Sequence, residues 1–207
     1  MTVSFAFASS VIHQNNYRWR NDNGDINTAT FKAAENTDVN VEKNENIRLR
    51  IEFYNETATP DDYAPGIKLR YSHNGVETII SNDINNAFVL SESPFFAEMD
   101  NINDLLTNTN AFVHGGGYTI ESSLSKDFTF DYEKSYEVEY CIKATPNAVV
   151  GDSYNFTFEE NGTALEIDNA EPMLTIISTQ PPLIVPLETS AIALAFLLVA
   201  GFTKLRF

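Results

Sequence analysis

Residues Ile47-Arg48-Leu49-Arg50-Ile51-Glu52-Phe53 alternate apolar and charged side chains without a break. Successive side chains of a β-strand point to opposite faces, so the run predicts a strand with Ile47, Leu49, Ile51 and Phe53 turned inward and Arg48, Arg50 and Glu52 turned to water. A second run, Tyr136 to Ala144, sets Tyr136, Val138, Tyr140 and Ile142 on one face. Strands with one wet face imply an antiparallel sheet, because parallel sheets are covered on both sides.

Shorter stretches extend the pattern. Tyr17-Arg18-Trp19-Arg20 alternates rings with arginines, which predicts buried rings and solvated arginines. Thr28 to Ala34 reads as a second extended piece. Ile67–Tyr71 and Val76–Ile80 flank Asn74-Gly75, a pair that tolerates positive φ and so predicts a hairpin. Phe88–Leu90, the Phe128/Phe130 alternation, Tyr154–Phe158 and Met173–Ser178 read as further strands. Asn21–Asp25, Glu56–Gly66 and Pro146–Gly151 are turns or loops by composition, and Gly115-Gly116-Gly117 reads as a flexible turn. From Ser93 to Asn110 the alternation fails, leaving a long connection with at most a short helix within Glu98–Leu106. Many short strands without internal repeat predict an all-β fold over residues 13–178, an antiparallel β-sandwich of immunoglobulin-like or jelly-roll-like type.

Residues 179–189 are a proline-rich linker, and residues 190–207 are apolar with a basic end. Pro186 suits a first helical position, Glu188 the first turn, and Lys204 and Arg206 the last turn. A helix from Pro186 to Phe207 is about 33 Å long, against a hydrocarbon core of about 30 Å. The expectation is a C-terminal transmembrane helix anchored by Ala191, Leu194, Phe196, Leu197, Leu198 and Phe202. Lys204 and Arg206 would hold the C-terminus in the cytoplasm and the sandwich on the outer face of the membrane. The uncharged part spans only about 18 Å, so a buried soluble helix is the competing reading. At the other end, residues 1–12 resemble the end of a secretory signal peptide or form a first strand.

Thirteen basic residues stand against 29 acidic ones, a formal net charge of -16. Such a surface repels phosphates, which argues against a nucleic-acid partner. Cys141 is the single cysteine, so no intrachain disulfide forms; its place in an alternating strand predicts a buried, inert thiol.

No catalytic or cofactor motif stands out. G-x-S-x-G, H-E-x-x-H and the P-loop pattern are all missing. His13, His73 and His114 fall in separate loops or strand edges without metal-type spacing and read as surface residues. The weak calcium candidates are Asp22 and Asp25, the pair Asp61-Asp62, and Asp100 with Asp104, all loop carboxylates offering hard oxygen ligands. None fits an EF-hand, and Asx-rich turns are ordinary in β proteins. Asn55, Asn155 and Asn161 head N-x-[ST] triplets. The aromatics read as sandwich core in preference to a sugar-binding platform.

Tyr17-Arg-Trp-Arg-Asn-Asp-Asn-Gly24 with Thr28-Ala-Thr30 and Ala33-Ala-Glu-Asn-Thr37 resembles the opening of a family of uncharacterised bacterial secreted proteins. Tyr136–Thr145, Asn147-Ala148 and Gly151–Phe156 are similar to that family's later signature. The tail resembles the tripartite sorting signals of bacterial surface proteins, although Val185-Pro186-Leu187-Glu188 departs from the Pro-Glu-Pro form. The resemblance implies a secreted or surface location and a fold, and carries no established activity. The expected function is therefore a non-enzymatic cell-surface module for display or adhesion, with membrane contact through its C-terminal helix and a protein or glycan ligand. The alternative is a structural subunit of a filament or coat, assembling by β-strand addition.

Overall fold

The computed structural model describes residues 12–56, 67–121, 124, 130–160 and 162–178. Their regular structure is entirely β, in two sheets. In the first sheet β1 (Ile12–Asn21) pairs with β3 (Asn46–Asn55), and β3 with β8 (Lys134–Ala144). β11 (Glu166–Ile167) flanks β1, while β6 (Phe88–Leu90) and β7 (Ala111–Tyr118) share the far side of β8. The second sheet runs β2 (Val39–Glu42), β12 (Met173–Ile177), β9 (Ser153–Glu160), β4 (Ile67–His73), β5 (Val76–Ile79), with β10 (Thr163–Ala164) beside β9.

The alternation places the core as the sequence predicts. Ile47, Leu49, Ile51 and Phe53 of β3 and Tyr136, Val138, Tyr140 and Ile142 of β8 are buried between the sheets. Opposite them, Phe156 meets Trp19 edge-on at 5.4 Å between centroids, and Phe158 meets Phe53 at 4.7 Å. These edge-to-face contacts bring the positive rim of one ring to the negative face of the next. The aromatics of β3, β8 and β9 are buried, as expected, while Phe31, Phe95 and Tyr132 in the connections are exposed. The Asn74-Gly75 hairpin also forms, with φ of 51° and 77° at its two turn residues.

Three expectations give way. The sheets are mixed rather than purely antiparallel: β1–β11, β2–β12 and β7–β8 are parallel pairs. Thr28–Ala34 is no strand but a series of turns held to β1 by the bridge Arg20–Phe31 and by hydrogen bonds such as Lys32 N–H to the Trp19 carbonyl. Glu98–Leu106 contains no helix, within the expectation of at most a short one. Gly115-Gly116-Gly117 is the tight half of β7 rather than a flexible turn. A Cβ on Gly115 would lie 2.0 Å from the Glu137 carbonyl oxygen, and one on Gly117 would lie 2.1 Å from Ile26 Cδ1. The glycines are there because another backbone and a covering side chain approach too closely for anything larger.

Of the proposed segment 1–12, Ile12 opens β1, and residues 1–11 lie outside the described residues, as do 179–207 with the anticipated linker and transmembrane helix. No helix among the described residues is long and apolar enough to cross a membrane.

Candidate functional site

The outer face of the first sheet carries the residues assigned to water, and there the structure differs most from the sequence reading. Arg48, Arg50 and Glu52 are buried, and so are Arg20 of β1 and Glu137 and Glu139 of β8. Only Arg18 of the two β1 arginines keeps partial exposure, its guanidinium 3.5 Å above the Phe31 ring. The physical reason is cover. The turn after β1 and the long connection between β6 and β7 lie across this face, so both sides of the sheet are dry.

Register makes the burial tolerable. Arg50 stands directly opposite Glu139, and Glu52 opposite Glu137. Glu139 Oε2 accepts from Arg20 Nη1 at 2.6 Å and from Arg50 Nε at 2.7 Å, and its Oε1 lies 3.4 Å from Arg48 Nη1. Arg50 Nη1 also reaches Glu137 at 3.1 Å, and Arg48 Nε donates to Asp22 at 2.7 Å. Further guanidinium protons go to backbone carbonyls of Gly24, Ile26, Ala29 and Asn103, while Arg20 Nε makes no hydrogen bond. Three cations thus face the three carboxylates of Asp22, Glu137 and Glu139, the condition under which charge survives away from water.

The remaining lone pairs hold the connection down. Glu137 Oε1 accepts from the backbone N–H groups of Leu105 and Leu106 at 3.1 and 3.0 Å. Glu52, which has no arginine, accepts from Asn15, Asn16, Ser135 and the Thr109 backbone N–H. Burial raises the Glu137 pKa against the pull of Arg50 and these donors. A raised carboxyl in a cleft would suggest an acid catalyst. Glu137, however, is fully enclosed and lines neither the cavity of about 340 Å³ beside Tyr54 nor that of about 400 Å³ beside His73.

Cys141 shares this covered face and packs with Ile26, Phe96 and Ile102, as a buried apolar residue should. Burial pushes its thiol up to about 12. Native protein at about pH 8 is expected to give no reaction with a thiol reagent, and one equivalent after unfolding. Labelling of the native chain at the rate of a free thiol would show that the cover opens readily.

The histidines occupy three different settings. His73 ends β4, stacked on Tyr154 and 2.8 Å from Asp152. His114 lies in β7, edge-on to Tyr136, with its pKa lowered by burial. His13 is no surface residue: it is 4% exposed within β1. Its strand neighbours in register are Tyr54 on one side and Glu166 on the other. Glu56 and Asp168, two residues further along each flanking segment, fall on the same face by the period of the strand. His13 Nδ1 lies 2.9 Å from Asp168 Oδ1, its Nε2 lies 3.4 Å from Glu56 Oε2, and its ring stacks on Tyr54 at 4.9 Å. The Tyr54 hydroxyl donates to Glu56 at 2.9 Å; burial first, then Asp168 and Glu56, raises its pKa.

Of the calcium candidates, Asp22 is committed to Arg48 and Ser93. Asp25 accepts the backbone N–H groups of Asn27 and Thr28, and the Asn27 bond leads in holding its carboxyl below the usual range. Asp100 accepts from the Ala97 backbone, and Asp104 from Asn108. Asp22 thus belongs to the buried network, and the contacts of Asp25, Asp100 and Asp104 are local to their turns. Asp61 and Asp62 lie outside the described residues. The three-residue convergence of metal-ligating types among the described residues is His13, Glu166 and Asp168. Sequence spacing gave no hint of it, because its members come from opposite ends of the chain. Of the N-x-[ST] asparagines, Asn55 is fully buried and donates to the Phe130 carbonyl, which closes it to modification in the folded chain.

No protein-family model matches this sequence, and no curated protein matches it. Among solved structures, the seventh type I cohesin of ScaB from Pseudobacteroides cellulosolvens is similar at 13% identity. The likeness covers 83% of this chain and 95% of that one, with a TM-score of 0.31. A likeness so shallow carries no argument about function, and the two-sheet architecture rests on the strand pairing described above.

Proposed function

We propose that this chain is a non-enzymatic β-sandwich module of the cell surface. Its sandwich displays a fixed loop surface to a protein or glycan ligand, and residues 190–207 anchor it as a single membrane span with a cytoplasmic C-terminus. The observation that carries the reading is the use made of the buried acids and bases. Glu52, Glu137 and Glu139 are bonded to arginines, amides and the backbone of the covering connection. A general acid or base must instead reach a substrate. The network is a framework for the loops above it, where Phe95 and Met99 remain exposed at 45% each. The apolar tail closed by Lys204 and Arg206 supports the location.

Deleting Leu183–Phe207 is expected to move the protein from the membrane fraction to the medium. Full-length protein that stays soluble without detergent would overturn the anchor, and glycan hydrolysis by the purified chain would overturn the non-enzymatic reading.

A second reading, a subunit that assembles by strand addition, draws on β5. This strand ends its sheet, with Val76 65% and Ile79 37% exposed. An open apolar edge is a template for another strand. Native sizing separates the two: large ordered oligomers favour the subunit, a monomer the display module.

A further inference from the structure

We propose that residues 2–8 of one copy of this chain add as a strand to the open edge of β5 in the next copy, with Phe5 and Phe7 filling the cavity beside His73. The proposal rests on the strand-addition reading of β5 and supplies its donor. β5 ends its sheet, and β4 occupies only one of its sides. Antiparallel pairs alternate between those that exchange hydrogen bonds and those that do not. Val76 closes the two-residue turn against His73, and Ile80 N–H donates to the Leu69 carbonyl, which puts Thr78 in the bonded set with them. Glu77 and Ile79 fall between, so their N–H and C=O groups point away from β4 toward the free edge.

The face beside this edge suits an apolar side chain. Val76 and Thr78 share a face with Tyr71 and His73 across the hairpin, and all four line the cavity of about 400 Å³ with Tyr154 and Val149. The Tyr71 and Tyr154 hydroxyls are engaged by the backbone N–H groups of Ala87 and Val149, which leaves the walls largely ring and methyl carbon. Val76 and Val149 are exposed at the rim. A phenylalanine entering here gains edge-to-face contacts with the tyrosine rings.

Residues 1–11 precede β1 and contain no Asp, Glu, Lys or Arg, in a chain of net charge -16. Val3, Phe5 and Phe7 alternate with Ser4, Ala6 and Ala8, so as a strand they set one large apolar face against one of small side chains. An uncharged strand can lie along an acid-rich surface without repulsion. The donor belongs to another copy because its own chain is too short to deliver it. Gln14 Oε1 accepts from the Phe158 N–H, and Phe158 stands opposite Leu69, so Ile12 sits at the Ile67 end of the sandwich. His73 lies about 20 Å further along β4, and β5 lies on the β6 side, three strands from β1. Phe7 is five residues from Ile12, at most about 18 Å of extended chain. A head-to-tail contact of this kind repeats from copy to copy and builds a chain of subunits.

The test is the size of purified full-length protein in mild detergent, read by light scattering over a concentration series. Wild type is expected to form oligomers that lengthen with concentration. Phe5→Asp with Phe7→Asp removes the donor, and Glu77→Pro removes an outward N–H at an edge position where proline is tolerated. Each is expected to weaken association about 30-fold or more and to keep the wild-type circular dichroism spectrum. Mixed together, the two variants should give a one-to-one dimer that grows no further, since one keeps the donor and the other keeps the edge. If Glu77→Pro misfolds, Val76→Asp at the exposed rim takes its place. Assembly that survives the loss of Phe5 and Phe7 but fails in the β5 variants would overturn the donor and leave the strand-addition reading standing. Assembly untouched by the β5 variants, or a wild type that stays monomeric, would overturn both.

Discussion

Glu139→Ala is expected to cost about 3–5 kcal/mol of folding stability, the scale for breaking a buried ion pair by removing one partner. The carboxylate sits where Arg20, Arg48 and Arg50 converge. Without it three guanidinium groups remain away from water with only Asp22 and Glu137 to balance them. The cost is the solvation those cations cannot recover, more than the attraction lost. Urea unfolding of the purified chain, read by the midpoint at constant slope, measures it. A loss under about 1 kcal/mol would mean that water reaches the network and that the connection above it does not seal the face. Replacing the arginines and their acids together with apolar residues of similar volume is expected to be far milder, because no charge is then left unpaired.

Arg48→Ala is expected to be as damaging as Leu49→Ala, although the two side chains point to opposite faces of β3. Leu49 is fully buried between the sheets, and truncating it leaves a cavity worth about 2–5 kcal/mol. Arg48 is equally buried on the other face and holds Asp22, Gly24, Ser93 and Glu139. Its removal belongs on the same scale, about 3–5 kcal/mol. Were Arg48 a solvated side chain, as the alternation alone implies, its replacement would cost no more than about 0.5 kcal/mol. The difference between adjacent substitutions is a clean measurement, since both act within one strand. A small effect at Arg48 beside a large one at Leu49 would restore the one-sided sheet.

That contrast shows where sequence reading reaches and where it stops. Period-two patterning located the core correctly in β3, β8 and β9, because the inward face is selected by the residues themselves. It misjudged the outer face, because what covers a face depends on a segment elsewhere in the chain. One signal was available. Arg48-x-Arg50 and Glu137-x-Glu139 stand in the same phase relative to their apolar neighbours and carry opposite charge, and such residues attract one another across paired strands. The Ser93–Asn110 stretch was a second signal, since a connection of that length without elements of its own needs something to hold it. The His13 group was not legible. It depends on the parallel pairing of β1 with β11, which brings His13 opposite Glu166. Two-residue strands such as β11 leave no periodic trace.

The parallel closures of the two sheets have a consequence for the order of events at synthesis. β1 finds β11, and β2 finds β12, only once residues 166–177 have been made; the Met173–Asp38 hydrogen bond alone spans 135 positions. Neither sheet can complete its pairing before that stretch exists. Contacts this distant in sequence make for slow folding, on the millisecond-to-second scale typical of sandwiches. The buried charges sharpen the delay, since Arg48 and Arg50 stay without Glu137 and Glu139 until β8 has been made. The β1–β3–β8 centre of the first sheet can pair once residue 144 is made, whereas its β11 edge and the β2–β12 pairing of the second wait for residues 166–177.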